Sequence, residues 1–362
     1  MARQEIGPLR RGWTTGACAA AAARAAFTGL LSGRFPDPVS IRLPRGATAS
    51  FPLALAELGQ GRARAGVLKD AGDDPDVTHG ALVVAEIAWA APGSGIGFAA
   101  GEGVGTVTRA GLSLAVGEPA INPAPRAMIS DTLREAAEED GAAPPDVTVT
   151  IAIPGGERLA EKTMNARLGI KGGLSILGTT GIVVPYSCSS WIHSIRRGID
   201  VARAAGLDHI AGSTGATSER AVQRLYDLPD HALIDMGDFV GGMLKYLRGH
   251  PVARLTIAGG FAKLAKLAAG HLDLHSARSR VDTAALGAML AALGADSAAV
   301  DAAGAAGGAA EILALAGNKG EALARLVAAR SREVALATLS GKTAVEVAIV
   351  DREGCFLARV GG

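Results

Sequence analysis

Glycines alternate with hydroxyl residues between positions 169 and 185, GIKGGLSILGTTGIVVP, a pattern typical of a backbone that approaches a ligand closely. Glycine can adopt positive φ and leaves room beside the main chain, while serine and threonine add neutral hydrogen-bonding groups. A tight bend between two core strands with nothing bound is the alternative, since the stretch is neither G-x-G-x-x-G nor a P-loop. The candidate ligand-binding residues here are Gly172, Gly173, Ser175, Thr179 and Thr180.

A second loop of similar chemistry, Ser213-Thr214-Gly215, follows a predicted strand at 208–212 and precedes a predicted helix at 218–226. Backbone amides at a helix N-terminus bind anions, and this loop adds two hydroxyl groups. Asp235 lies near the end of the next predicted strand, where an acidic residue of a dinucleotide-binding fold hydrogen-bonds a ribose. A structural turn with a solvated aspartate is the alternative interpretation.

Charged residues gather at the start of the chain and again at 69–76. Arg10 and Arg11 precede a predicted helix that Thr14 or Thr15 would cap. A carboxylate-rich ligand could dock there, and a surface helix with solvated arginines is the alternative. The segment KDAGDDPD at 69–76 carries four aspartates, which cannot all be buried unpaired. It is interpreted as an exposed acidic turn, a divalent-metal loop without EF-hand spacing, or a site that grips a polar ligand.

Composition argues against several classes of protein. With 362 residues the chain is long enough for about two domains. The formal net charge of +1 disfavours a nucleic-acid binder, and charged residues interrupt the long apolar runs, which argues against a membrane span. Three widely spaced cysteines (Cys18, Cys188 and Cys355) favour a reducing cytoplasm over a disulfide scaffold. His271 and His275 lie four residues apart without a placed carboxylate ligand, and we predict no protein metal.

The remaining pattern predicts the elements that must position these residues. For the first half we expect a helix through about Leu31, one sheet over 39–68, a hairpin at 93–105, and a helix from about Met128 to Asp140. The predicted sheet carries four arginines: Arg42, Arg45, Arg62 and Arg64. In the second half strands alternate with helices, which predicts a parallel, doubly wound sheet that binds ligands at the carboxyl ends of its strands. A helical region at 281–337 and a final pair of strands follow.

Five multi-residue blocks give the chain a specific resemblance. In order they are GWTTGACAAAAA at 12–23, KDAGDDPDVTHG at 69–80, GEGVGTVTRAGL at 101–112, GEPAINPAPRAMI at 117–129 and LGIKGGLSILGTTGIVVPYS at 168–187. They resemble the cobalt-precorrin-5B C1-methyltransferases of anaerobic-type cobalamin biosynthesis. The similarity continues through GSTGATSE, DMGDFVGGMLK and AGGFAKLAKLAAG, with Phe261 after Gly259-Gly260 as one departure.

This resemblance implies transfer of a methyl group from S-adenosylmethionine to C1 of cobalt-precorrin-5B, which gives cobalt-precorrin-6A. It implies a mixed α/β and α+β protein of two domains: an α+β, corrinoid-binding domain with a mixed sheet at 1–188, and a Rossmann-like, doubly wound domain at 189–362. The terminal hairpin at 343–360 is expected to pack on either domain. The implied partner is a cobalt-containing tetrapyrrole, and the cobalt belongs to that substrate. Neither nucleic acid nor a membrane is expected as a partner. A homo-oligomer and channelling between neighbouring pathway enzymes are left open.

We predict the cofactor between the 172–181 and 213–219 loops, with Gly173→Val and Gly215→Val as probes. The predicted cofactor-binding residues therefore include Ser213, Thr214, Gly215 and Asp235 together with those of the first loop. The substrate carries several carboxylates, for which arginines and helix N-termini are suitable partners. The predicted substrate-binding residues are Arg10, Arg11, Thr14, Thr15, Arg42, Arg45, Lys69, Asp70 and Asp73.

No catalytic side chain is predicted, because a sulfonium methyl group is already activated and alignment with exclusion of water could suffice. Two other functions fit parts of the pattern. A nicotinamide-dependent reductase could use the 213–219 loop and Asp235. A non-catalytic corrinoid carrier would bind the macrocycle without affinity for S-adenosylmethionine.

Overall fold

The structure, a computed structural model, describes residues 9–361. The chain is a mixed α/β protein with several separate sheets. It folds as two compact units, the first ending at Ser187 and the second beginning at Cys188. Within the described residues no helix is long and apolar enough to cross a membrane.

The first unit is built mainly from short strands. In chain order they are β1 (Gly12–Trp13), β2 (Val39–Arg42), β3 (Thr48–Phe51), β4 (Leu55–Gly59), β5 (Arg62–Leu68), β6 (Leu82–Trp89), β7 (Ile96–Ala100), β8 (Thr106–Val107), β9 (Val147–Ala152), β10 (Ile170–Lys171) and β11 (Ile182–Val183). The helices are α1 (Thr15–Ser32), α2 (Pro123–Glu139) and α3 (Gly156–Ala160). The main sheet has the order β4-β5-β6-β9-β7, in which β7 and β9 are parallel and the other neighbours are antiparallel.

Helix α1 lies at the centre of this unit because its sequence is apolar on every side. The run from Ala17 to Ala23 is fully buried, and the helix packs against β5 and β6 as well as against α2. Alanine side chains are short, so several elements can approach the helix axis closely. Arg24 is the charged residue of α1, and it pairs with Glu135 and Glu139 of α2. The predicted surface position of this helix is therefore wrong, whereas the two arginines before it, Arg10 and Arg11, are exposed.

The single sheet predicted over 39–68 is also wrong. Strands β2 and β3 form a separate two-stranded sheet. Arg42 ends β2, and Arg45 lies in the turn that follows it. Arg62 and Arg64 instead lie on β5 of the main sheet. Alternating residues over this region identified the strands, but the hydrogen-bonded neighbours of each strand depend on tertiary packing.

Two further elements of the first unit differ from the sequence prediction. The glycine-rich segment at 93–105 is not a hairpin, because β7 pairs in parallel with β9 and β8 pairs with β10. Helix α2 begins at Pro123, five residues before the start predicted at about Met128. Proline is well accommodated in the first turn of a helix, since its missing N–H has no intrahelical partner there.

The second unit alternates strands with helices. Its strands are β12 (His209–Ser213), β13 (Leu233–Asp235), β14 (Arg254–Gly260), β15 (Ala344–Val350) and β16 (Phe356–Val360). Its helices are α4 (Cys188–Ala204), α5 (Ala216–Tyr226), α6 (Val240–Gly249), α7 (Phe261–Ala268), α8 (Thr283–Ala292), α9 (Ser297–Ala305), α10 (Ala309–Leu315) and α11 (Gly320–Leu339). One sheet joins the strands in the order β13-β12-β14-β15-β16, with parallel neighbours except for the final β15–β16 pair.

Successive side chains of β12 point to opposite faces of this sheet. Ile210 joins a core with α4, α6, α7 and α11, whereas Ala211 joins a smaller core with Val222 of α5. The chain moves one way from β12 to β13 and then back past β12 to β14. Right-handed crossovers in opposite directions place their helices on opposite faces, as α5 and α6 are placed here. Helix α7 follows β14 and packs in the same core as α6, so the chain leaves β12 and β14 toward opposite faces of the sheet.

Candidate functional site

Part of the predicted substrate site forms one cluster in the first unit, which we call the N-terminal cluster (residues 10–15, 69–79 and 177–186). The Arg10 guanidinium binds both carboxylate oxygens of Asp70, with a distance of 2.9 Å from Nη2 to Oδ1. The Arg10 backbone N–H donates to Asp73 Oδ2 at 2.6 Å. Hydrogen bonds from Arg10 and from the backbone of Gly72 lower the pKa of Asp70 to about 2. Three predicted ligand-binding groups thus bind one another.

Lys69 is a buried cation of the same cluster, and its side chain is only 1% exposed. Its ammonium group donates to Asp76 Oδ2 at 2.6 Å, while Asp76 Oδ1 accepts from the backbone and hydroxyl of Thr78. Burial alone would raise the pKa of Asp76, but the Lys69 charge and these hydrogen bonds outweigh burial and lower it. The acidic segment is therefore neither a plain exposed turn nor a row of free carboxylates.

The N-terminus of α1 also finds partners within the protein. Thr14 Oγ1 accepts from the Ala17 backbone at 3.1 Å and caps the helix, as predicted. Thr15 Oγ1 exchanges hydrogen bonds with the backbone N–H and carbonyl of Leu177, at 3.0 and 3.2 Å. The Gly16 N–H donates to the same carbonyl at 3.0 Å. The Thr15 hydroxyl and the Thr14 backbone N–H, which donates to the Gly181 carbonyl at 3.0 Å, hold the 177–186 segment. The role of both threonines in substrate binding stays a prediction.

Within the 172–181 loop, three of the five predicted cofactor-binding residues contact other groups of the protein: Gly173, Ser175 and Thr180. A Cβ atom on Gly173 would lie 2.3 Å from the carbonyl carbon of Gly103. Ser175 is buried, with Oγ 3.4 Å from Asn165 Oδ1, and the Thr180 hydroxyl bonds to the backbone of Ile182. Gly172 and Thr179 are exposed. The strands that flank this loop, β10 and β11, pair with β8 and with β1 respectively, and Leu177 and Val184 are 44% and 49% exposed. Cofactor binding by this loop stays a prediction.

The other predicted arginines remain available to solvent. Arg11 and Arg45 are exposed and have no side-chain partner among residues 9–361. The Arg42 side chain is 72% exposed and lies 4.0 Å from Glu135 at its closest. These three guanidinium groups can bind an external carboxylate without breaking a short ion pair.

A second group of predicted residues lies at the carboxyl edge of the second unit's sheet. We call residues 213–215, 235–237 and 259–260 the carboxyl-edge site. Ser213 ends β12 and faces Asp235 in the register of β13. Its Oγ is buried and has no hydrogen-bond partner within the described chain. A buried hydroxyl without a partner is unfavourable, so this oxygen marks a place where a ligand could supply the missing bond.

The loop after β12 leans toward the end of β14. The Thr214 N–H donates to the Ala258 carbonyl at 3.0 Å, and a Cβ atom on Gly259 would lie 2.7 Å from Thr214 Oγ1. Gly215 has extended backbone, and a Cβ atom there would meet no atom within 4 Å. This leaves open space in front of α5, whose first backbone amides have no side-chain cap.

Trp191 of α4 forms a wall beside this edge. Its Nε1 donates to the Asp235 carbonyl at 3.0 Å, and its ring packs over Gly237, where a Cβ atom would lie 3.2 Å from the ring. Trp191 is nevertheless 46% exposed. An exposed aromatic face next to a carboxylate, an unpaired hydroxyl and free helix amides suits a polar ligand that carries a flat ring.

Comparison with known proteins assigns the family. The family model described as CbiD matches residues 2–185, which is more than half of the chain, and a second described as CbiD, C-terminal domain, matches residues 273–361. The chain belongs to the CbiD family. A curated relative from Brucella anthropi is 57% identical over 99% of this chain and 97% of its own length. One from Halorhodospira halophila is 59% identical over 98% and 95%.

The relatives from Brucella anthropi and Halorhodospira halophila are both named cobalt-precorrin-5B C(1)-methyltransferase. Among solved structures, the crystal structure of a cobalamin biosynthesis protein (CbiD) from Archaeoglobus fulgidus is similar. It is 31% identical, covers 75% of this chain and 83% of its own, and has a TM-score of 0.40. The two family models and the curated relatives confirm the predicted family.

The sequence did not identify several residues that form important contacts in the two units. It singled out neither Asp76 nor Trp191, and it did not single out Glu346, whose buried carboxylate binds two arginines. The only available signal for Glu346 was a glutamate among apolar residues in a predicted strand, TAVEVAIV. Such a residue must be either at a solvent face or paired, and the sequence does not name the partner.

We expect Asp76→Asn to destabilise the first unit by about 2 kcal/mol, because it leaves the Lys69 ammonium buried without a counter-charge. The loss is below that of a fully buried pair, since the Asp76 side chain is 25% exposed. Urea unfolding monitored by tryptophan fluorescence measures it. Adding Lys69→Met should recover most of the loss, and Asp131→Asn, in an exposed pair, should have little effect. An undiminished loss in the double variant would contradict this account.

Proposed function

We propose that this protein methylates C1 of cobalt-precorrin-5B to give cobalt-precorrin-6A in cobalamin biosynthesis, with S-adenosylmethionine as the methyl donor. The observation that carries the proposal is identity of 57% over 99% of the chain with a relative of that name. The similarity also covers 97% of that relative's own length. The three cysteines are free, which supports a reducing, cytoplasmic location as part of this proposal.

The second unit is proposed as a Rossmann-like, doubly wound domain that holds the methyl donor. Numbered from β12, its parallel strands have the order 2-1-3-4, and the strand order reverses between β12 and β14. Open α/β sheets bind ligands in the crevice at such a reversal. The carboxyl-edge site lies there, which favours the 213–215 loop over the 172–181 loop. The first unit is proposed as the corrinoid-binding domain.

The residues of the carboxyl-edge site fit S-adenosylmethionine. The uncapped backbone amides at the start of α5 suit its carboxylate, and the Ser213 hydroxyl has an unsatisfied hydrogen-bonding capacity. The Asp235 carboxylate suits ribose hydroxyls, and the Trp191 ring suits the adenine face. When bound, the donor supplies a methyl group that is already activated on a sulfonium.

The protein's own contribution is then chiefly alignment. Fixing two reactants in productive geometry can supply roughly 7–11 kcal/mol of the barrier. Trp191 is suited to this, because its bond to the Asp235 carbonyl fixes one wall of the edge. Of the predicted substrate residues, Arg11, Arg42 and Arg45 are proposed to bind substrate carboxylates. Arg10 and Lys69 are proposed to shape the N-terminal cluster through the aspartates they already bind.

The reaction is tested by incubating the purified protein anaerobically with cobalt-precorrin-5B and methyl-labelled S-adenosylmethionine. We expect label at C1 of the macrocycle. Binding of the corrinoid without label would favour the carrier function. Calorimetric binding of a nicotinamide cofactor, without binding of S-adenosylmethionine, would favour the reductase.

The placement of the donor predicts that Gly215→Val weakens S-adenosylmethionine binding at least tenfold, since the valine side chain fills the open space in front of α5. The variant should fold normally because the backbone is extended and unobstructed at Gly215. Isothermal titration calorimetry gives the affinity. Gly249→Val is the matched control, because that glycine is also unobstructed but ends α6 at the other edge of the sheet. Unchanged affinity in a folded Gly215→Val protein would refute the placement.

A further inference from the structure

Tyr186 is an exposed aromatic residue in a backbone conformation that tyrosine rarely adopts. Its φ is 55°, in the left-handed region that is normally occupied by glycine or asparagine. It follows Pro185 in a turn after β11, and the residue is 69% exposed. No ring contact involves it among the described residues. Burial therefore does not explain the strain, and strained residues concentrate at ligand-binding sites.

The acidic segment at 69–76, called the acidic loop below, holds this conformation in place. Asp74 Oδ1 accepts from the Tyr186 backbone N–H at 2.9 Å. Asp74 itself is fixed between Asp73, which accepts from the Arg10 backbone, and Asp76, which binds the buried Lys69. The aspartates of this loop thus act together to fix the backbone of an otherwise unsupported ring.

The neighbours of Tyr186 combine apolar and cationic character. Strands β1 and β11 pair with Gly12 opposite Val183, so the next residues along the pair, Arg11 and Val184, lie at the same edge. Val184 is 49% exposed, and the exposed Arg11 guanidinium has no side-chain partner within residues 9–361. A flat ring, an exposed aliphatic side chain and an exposed guanidinium group therefore lie on residues at the same end of the β1–β11 pair.

We propose that Tyr186 and Val184 form a platform for one face of the corrinoid, while Arg11 binds a carboxylate at its rim. This proposal rests on the proposed function and adds a specificity-determining residue to it. A macrocycle with a broad apolar face and peripheral carboxylates suits an exposed aromatic ring, an exposed valine and an exposed guanidinium group. Tyrosine is suited to such a platform because its ring is rigid and loses little conformational freedom on binding.

The test compares Tyr186→Asn with Tyr186→Phe. Asparagine tolerates left-handed backbone, so Tyr186→Asn should keep or raise the Tm while it weakens binding of cobalt-precorrin-5B about tenfold, the size expected for loss of a stacking ring. Tyr186→Phe keeps the ring and should bind as the wild type does. Ser340→Asn is the control, since Ser340 also has positive φ, 50°, but lies in the second unit. Absorbance titration of the corrinoid gives affinity, and methyl transfer is assayed in parallel.

The outcomes separate this inference from the proposed function. Wild-type methyl transfer with unchanged corrinoid affinity in Tyr186→Asn would overturn the platform and leave the function intact. Corrinoid binding that is weakened in Tyr186→Asn, without methyl transfer by the wild type, would support the platform and overturn the function. A lower Tm with unchanged affinity would show that Tyr186 is structural, and a wild type that does not bind the corrinoid would overturn both proposals.

Discussion

Gly173→Ala should destabilise the first unit by more than about 4 kcal/mol, an exceptional loss for one methyl group. The added Cβ atom would lie 2.3 Å from both the carbonyl carbon and oxygen of Gly103, and 2.8 Å from the Val104 nitrogen. These are backbone atoms, so no change of side-chain rotamer can relieve the contact. Gly103 is itself confined on its other side, since its own Cβ would lie 1.9 Å from the Ile153 carbonyl oxygen. Three backbone segments would have to separate.

Two substitutions provide controls for this effect. Gly172 has positive φ, 83°, but a Cβ atom there would meet nothing within 4 Å, so Gly172→Ala should cost only about 1 kcal/mol. Gly215→Ala should leave stability unchanged, because its backbone is extended and unobstructed. Urea unfolding of all three variants measures the differences. A Gly173→Ala protein as stable as Gly172→Ala would show that these backbone segments separate easily.

This expected result changes how the glycine-rich stretch is interpreted. The interleaved glycine and hydroxyl residues predicted a ligand close to this backbone, and the structure places the backbone of Gly103 beside Gly173. The sequence could not show that the approaching group is the backbone of Gly103 and not a ligand, because both require the same absence of a side chain. Gly173→Val is consequently a poor probe of cofactor binding, whereas Gly215→Val remains an informative one.

Ion pairs show the same limit of sequence reasoning. Arg10, Lys69 and Asp70 were selected as groups that could bind a polar substrate, and the structure instead pairs them with carboxylates or guanidinium groups of the same cluster. Their charges were evident from the sequence, but which charge meets which depends on how β1, β11 and the acidic loop pack. The 208–269 region was easier to predict, because the local alternation of strands and helices determines its elements.

The order of strands in the second unit could not be obtained from that alternation. The position of Thr214 against Gly259 follows from β12 lying between β13 and β14. A sequence gives the elements in chain order and does not give their neighbours in the sheet. The carboxyl-edge site was thus foreseen as a loop after a strand, but its position beside the end of β14 became evident only from the structure.

The buried carboxylate of Glu346 binds several polar and charged side chains of the second unit. Its side chain is 0% exposed, and it accepts hydrogen bonds from Tyr226 Oη at 2.5 Å, Thr256 Oγ1 at 2.9 Å and Arg359 Nη2 at 2.8 Å. The Arg254 guanidinium lies 4.5 Å from the centre of the Tyr226 ring. Burial raises the pKa of Tyr226, and the hydrogen bond to Glu346 raises it further. One carboxylate therefore joins α5 to three strands.

We expect Glu346→Ala to destabilise the second unit by about 3 kcal/mol, the lower end of the range for a broken buried ion pair. The low end applies because the Arg254 and Arg359 side chains are 32% and 39% exposed and solvent partly screens them. Glu346→Gln keeps the shape and one acceptor and should cost less. Thermal unfolding monitored by circular dichroism measures both, with Glu353→Ala in the exposed β15–β16 turn as the control.

The pH dependence separates the charge of Glu346 from its packing. Burial alone would raise the pKa of Glu346, but hydrogen bonds from Tyr226, Arg359 and Thr256 outweigh burial and lower it from 4.5. Because the folded-state pKa is below the unfolded-state value, this contribution is fully present above about pH 5 and is lost as pH falls through the folded-state pKa. The wild type should therefore approach Glu346→Gln in stability on acidification. A stability difference that stays constant down to the folded-state pKa would assign the effect to packing and not to charge.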